Sequence, residues 1–383
     1  MATLVSKDTS GVLVPREGEV EVLSQRTRAF KTFHLSNNAD GTITYRVGGQ
    51  VGPIHYPDDP LSDSPTFHEI DLHLLPVTDG TCDYACLTNG YTTRIWQAFH
   101  NFTYVAQFNR AGGSFYLAPY ALCWENAAGT QQLIAKPTAG IAPTIDNDAY
   151  TCTWANAFGA GLHFRYNLSP DLFFKTVIID SADDLPACTL VSKTGLKLTV
   201  VMAIAWAGAR PAALNADVDL GSNPAGTAKQ TLTPSAAFPH LLADGVTPAF
   251  WHQAPRAWDS KVNATTGQLT PQSVAMTWRI KKYAACAGAF LSVTKAALDL
   301  AVYPVFIDTA ISEIQVSASS DDASNVATTW PGNGNFLANG VALTFGGNDD
   351  GYEYSYFYIA GMRFLSVPIP PGATINSASR RWH

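Results

Sequence analysis

"GLHFRYNL" (Gly161–Leu168) and "LFFKTVIID" (Leu172–Asp180) decide the fold class. Their bulky apolar residues recur with period two or in short runs, as in strands with a buried face. The same signal returns in "GTITYRV" (Gly41–Val47), "FHEIDLHLL" (Phe67–Leu75), "KLTVVMAIAW" (Lys197–Trp206) and "SVAMTWRIKK" (Ser273–Lys282). It is also present in "SEIQVSAS" (Ser312–Ser319) and "YEYSYFYIAGMRF" (Tyr352–Phe364). Between these runs lie "NNADG", "NPAG", "PGNGN" and "GGNDDG", whose Gly, Pro, Asn and Asp are turn chemistry. No helical period lasts three turns with caps at both ends. "TKAALDLAVY" (Thr294–Tyr303) is the best helical candidate and reads equally well as a strand. The expectation is an all-β protein of tandem, jelly-roll-like β-sandwich domains with few or no helices.

Composition narrows the function. At 383 residues, two or three domains are expected. Hydrophobic residues make up 46%, enough for packed cores, while charged residues reach only 14% against a usual quarter. Thr, Ser, Asn, Gly and Ala must then cover the surface, which suits contact with copies of the same chain. The net charge of -7, with no basic stripe, argues against a nucleic-acid partner. The N-terminal residues lack the apolar core of a cleaved signal peptide. The longest charge-free apolar run, Leu198–Ala209, is too short for a membrane-spanning helix. Composition shifts divide the chain near 190 and near 310. The first domain is then 1–190, and the second is 191–310 with a long irregular connection at about 215–245. The third is 311–383.

Chemistry-bearing motifs are sparse. There is no Gly-x-Ser-x-Gly elbow, no local Cys–His pairing motif and no phosphate-binding Gly-rich loop, so no catalytic residue or cofactor is expected. Cys82 and Cys86 form the only close cysteine pair, and no second pair completes a zinc site. Free thiols are the favoured reading, with a Cys82–Cys86 disulfide as the alternative in an oxidising compartment. On a strand, Glu69, Asp71 and His73 share one face and could hold a divalent ion. A solvated face is the stronger reading, because successive ligands would stand about 7 Å apart. The acidic turns Ser320–Asp322 and Gly346–Gly351 match no calcium loop and read as hairpin turns. Tyr352, Tyr354, Tyr356 and Tyr358, with Trp330 nearby in sequence, form a candidate interaction face. A subunit interface or core is favoured over a sugar-stacking platform.

Three stretches carry a resemblance. "APRAWDSKVNATTGQ" (Ala254–Gln268) with "ALDLAVYPVFIDTA" (Ala297–Ala310) resembles the β-domain preceding DNRLRE-type modules of bacterial surface and phage proteins. The shared features are Trp258-Asp259, Tyr303-Pro304-Val305 and Ile307-Asp308. This chain lacks the proline that often follows the Ile-Asp pair. "YIAGMRFLSVPIPPGATINSA" (Tyr358–Ala378) resembles the DNRLRE module itself, in which Pro370, Pro371 and Gly372 would make a rigid corner between two strands. Such modules normally continue well beyond the final strand, whereas this sequence stops at His383. "VGPIHYPDD" (Val51–Asp59) followed by "FHEIDLHL" (Phe67–Leu74) is similar to phage virion proteins. The resemblance implies a structural, non-enzymatic virion protein of a tailed bacteriophage. It would act in the tail, baseplate, fibre or capsid surface, with copies of itself and other virion proteins as partners. A carbohydrate-binding adhesin or receptor-binding protein is the alternative, and a glycan hydrolase the third reading.

Overall fold

The computed structural model describes residues 14–15, 17–28, 30–37, 43–49, 53–97, 105–211, 214, 228, 230–234, 236–265, 267–283 and 287–312. It also describes the strands Asp322–Ala327, Asn335–Ala338, Gly346–Asn348 and Tyr356–Met362. The protein is almost entirely β, with antiparallel sheets, as the sequence predicts. The described exceptions are two 3-10 turns and one short α-helix, Lys295–Leu300. That helix lies in the best helical candidate of the sequence. Thr294 caps it by accepting a hydrogen bond from Ala297 N, and Leu298 is buried beneath it.

Two compact units emerge. One comprises 1–16 and 49–315, the other 17–48 and 316–383. The smaller unit contains a three-stranded sheet (Val20–Glu21, Phe30–Asn37, Ile43–Gly49) and a four-stranded sheet from the C-terminal strands. The larger unit contains two wide sheets. The first runs from Gln230–Leu232 through Met276–Lys282, Ala287–Thr294, Lys197–Ala207, Gly113–Glu125, Ala106–Arg110, Thr92–Ile95 and Tyr84–Cys86 to Leu75–Pro76. The second runs from Thr144–Asp146 through Thr151–Trp154, Leu162–Leu168, Leu172–Ile179, Val305–Ser312, Pro248–His252 and Phe238–Leu241 to Arg210–Pro211.

The division near residue 190 needs correction. Gly113–Glu125 pairs along its length with Lys197–Ala207, and Leu172–Ile179 pairs with Val305–Ser312. Residues on both sides of 190 therefore build the same two sheets, and the first two expected domains are one body. Gly113–Glu125, the longest strand among the described residues, is absent from the sequence-based strand set. It carries Pro119, which cannot donate to a ladder, and the register shifts between Pro119 and Ala121 to accommodate it. The Arg363–Ala378 corner lies outside the described residues.

Side chains from the two sheets meet in a layer of rings. Phe108 lies 6.4 Å from Phe173 and 5.4 Å from Phe250, between ring centroids. Phe115 stands edge-on to Phe250 at 6.1 Å, and Phe238 stacks on Trp278 at 5.6 Å. Three buried aromatic polar tips find backbone partners. Tyr91 Oη lies 2.7 Å from the Ser169 carbonyl oxygen and 2.8 Å from that of Leu172. Trp124 Nε1 donates to Pro186 O, and Trp154 Nε1 to Gln97 O.

Backbone approach sets the demand for glycine at one turn. Gly208 has φ +71°, and a Cβ there would stand 2.3 Å from the Gly112 carbonyl oxygen. Gly245 has φ +72° with open space around it. Gly245→Ala should cost about 1 kcal/mol, the conformational term alone, and Gly208→Ala at least about 2 kcal/mol. Urea denaturation of the two variants should rank them in that order.

Candidate functional site

Strand alternation places one cation inside the sandwich. In Leu172–Ile179, Phe173, Val177 and Ile179 are fully or nearly fully buried on the inner face, and Lys175 shares it. Lys175 is only 4% exposed. Its Nζ stands 5.7 Å from the centre of the Phe115 ring, within cation–π range. Burial is the main cause that pulls the amine down to about 7, and Asp308 opposes the shift.

Two histidines share this interior. Phe238–Leu241 and Pro248–His252 form a hairpin in which Phe238 pairs with His252 and His240 with Phe250, so all four point inward. His240 stacks on Phe250 at 4.5 Å, and Phe115 meets both imidazoles edge-on at 5.3 and 5.5 Å. Trp278 lies 5.2 Å from His252, and Trp206 lies 6.0 Å from His240. His252 Nε2 is 3.1 Å from Thr309 Oγ1, while its Nδ1 is buried without a hydrogen-bond partner. Burial, followed by repulsion from Lys175, lowers the His240 pKa to about 3, with the Ala209 backbone opposing. The same two causes, with His240 adding to them, hold His252 well below its ordinary value. Both rings are neutral at pH 7.

The opposite face of the same strands carries the balancing carboxylate. Thr176 pairs with Asp308, and these residues share their face with Arg165 and Arg256. Asp308 is buried and accepts from Thr176 Oγ1 and Lys175 N, both at 3.3 Å, with Arg256 Nε at 3.9 Å. Burial pushes its pKa up to about 6 against the pull of Arg256 and Lys175. A second buried carboxylate, Glu125, is better served. Arg279 and Gln131 donate to it, and Lys197 Nζ lies 3.3 Å away. Burial raises its pKa, but these partners outweigh burial and leave it lowered.

The residues singled out in the sequence lie elsewhere. Glu69 ends the Phe67–Glu69 strand, and Asp71 makes a lone bridge to Thr88. Glu69, Asp71 and His73 are all exposed, while Leu72 and Leu74 are buried. Asp71 Oδ1 sits 2.6 Å from His73 Nδ1, but the three groups do not gather within 4.8 Å of one another. Tyr352, Tyr354 and Trp330 lie outside the described residues. Tyr356 and Tyr358 lie on a described strand, but their side chains fall outside the description. Cys82, Cys86, Cys123 and Cys152 are buried free thiols, and Cys188 is a half-buried one. Burial raises Cys86 to about 12 and Cys123 to about 11, which makes them poor nucleophiles.

Neither family models, curated proteins nor solved structures match this chain. Chemically, the Lys175–His240–His252 cluster is an amine and two imidazoles sealed in rings, so it links protonation to packing. Lys175→Met should raise stability at pH 7 by about 1–4 kcal/mol, because an apolar side chain of similar length removes the desolvation penalty. A higher urea midpoint with unchanged slope is the expected result, and a lower midpoint would show that the amine stabilises the core.

Proposed function

We propose that the chain is a structural protein of a tailed-bacteriophage particle, working through protein–protein contact and not catalysis. The observation that carries this reading is an apolar corner on the larger unit. Val262 and Leu269 face each other across a bridge in the 259–270 hairpin. Ser260 N donates to Val302 O and Val302 N to Asp259 Oδ2, which docks that hairpin beside the end of the Lys295–Leu300 helix. Leu300 is 86% exposed, Leu269 57%, Val262 49% and Val302 44%. Exposed aliphatic residues on two adjoining segments suit a contact surface, and 14% charged residues leave little to keep copies apart. The short resemblances to DNRLRE-type and virion segments supply the particle setting.

The expected partner at this corner is a second copy of the chain. Sedimentation velocity at rising concentration should show self-association of the wild type, and Leu269→Asp combined with Leu300→Asp should return it to monomer with an unchanged melting temperature. A wild type that stays monomeric throughout would overturn the reading of this corner.

A further inference from the structure

The hairpin that carries both histidines is weakly joined to its own sheet. Between Pro248–His252 and Val305–Ser312, the paired residues are Trp251 with Ser312 and His252 with Ile311. Outside that ladder, Gln253 N donates to Ala310 O, and the Gln253 side chain bonds Ser312. The inner face of the hairpin, by contrast, is packed against rings of the opposite sheet: Phe115, Trp206 and Trp278. Side-chain packing therefore holds the hairpin more than backbone pairing does.

We propose that this hairpin is an acid-sensitive latch: protonation of His240 and His252 inside the ring layer, beside the Lys175 amine, releases residues 238–252 from the facing sheet. The surrounding groups offer added charge little beyond the Ala209 backbone at His240 and the Thr309 hydroxyl at His252. Leu172–Ile179 offers Lys175, itself a cation. Val305–Ser312 offers the Thr309 hydroxyl on the inner face, with Asp308 on the other. Leu162–Leu168 offers Tyr166 inward and Arg165 outward. Gly113–Glu125, Lys197–Ala207 and Met276–Lys282 offer Phe115, Trp206 and Trp278, with Arg279 and Lys281 on the reverse face. Arg110 is committed to the Ala249 carbonyl oxygen at 2.5 Å, and Arg210 is exposed.

The sign follows from linkage. Both imidazoles have folded values below their ordinary one, so the unfolded or released state binds protons first as pH falls below 6.5, and stability is lost over that range. Asp308, raised to about 6, works the other way in global unfolding, but its strand is not part of the released hairpin. Lys175, at about 7 when folded, affects only the range above pH 7. Release of 238–252 leaves Asp308 paired on its own strand, so each imidazole that gains a proton on opening lowers the folded-to-open ratio by up to about tenfold per pH unit below about 6.

Hydrogen exchange of the full chain at pH 7 and pH 5 is the test. Wild type should show protection falling at 238–252 ahead of the rest of the larger unit, and His240→Phe, which removes one of the two protons, should flatten the change about tenfold per pH unit. Should His240→Phe fail to fold, NMR of the wild-type imidazole carbons provides the second measurement. Both rings should stay neutral in the folded protein at pH 5.5. Either ring titrating near 6.5 while the hairpin keeps its protection would overturn the proposal, as would a uniform loss of protection across the unit.

Discussion

Contact between two antiparallel sheets through one layer of rings is the constraint on which the larger unit depends. Each sheet alone would expose its apolar face, since Phe108, Phe115 and Trp206 on one and Phe164, Phe173 and Phe250 on the other are fully buried only against the facing sheet. Burying a side chain of this size contributes about 1.5–3 kcal/mol, so a handful of such rings outweighs any polar feature around them. That surplus is what permits a lysine and two histidines to sit in the same layer.

The electrostatics of the site follow from alternation along two central strands. Lys175 and Asp308 face opposite sides of one sheet, so the amine and the carboxylate bias each other through it without forming an ion pair. Neither is compensated as Glu125 is, with its arginine, lysine and glutamine partners. Burial therefore dominates both shifts, lowering the amine and raising the acid toward neutrality. The cluster reaches neutral pH with much less charge than its residue types imply, which is how a sandwich core tolerates it.

The all-β class was legible because most strands bury one face, and period-two alternation survives in stretches such as Leu162–Leu168 and Leu172–Ile179. Gly113–Glu125 was not legible. Its residues from Ala121 to Glu125 are buried on both faces, which erases the alternation, and Pro119 reads as a strand breaker until the register shift is known. The domain division failed because the decisive pairings join residues far apart in sequence, and composition carries no information about them. At the site, Lys175 was not singled out, although it stands in sequence as the lone cation among Phe173, Val177 and Ile179. His240 lies within, and His252 just beyond, a stretch whose lack of period reads as an irregular connection. Strand register alone places them opposite Phe115 and Trp278.

Stability within the sandwich is then unevenly distributed. The long ladders of Gly113–Glu125 with Lys197–Ala207 and of Leu172–Ile179 with Val305–Ser312 fix the middle of each sheet. Lys175 sits in one of these long ladders, whereas His240 and His252 sit on a hairpin joined to Val305–Ser312 by two paired positions. Local opening starts where backbone pairing is least and where a change in protonation acts directly on packing. In a protein with few surface charges and an apolar corner, such an arrangement lets the core respond to its surroundings while the rest of both sheets stays paired.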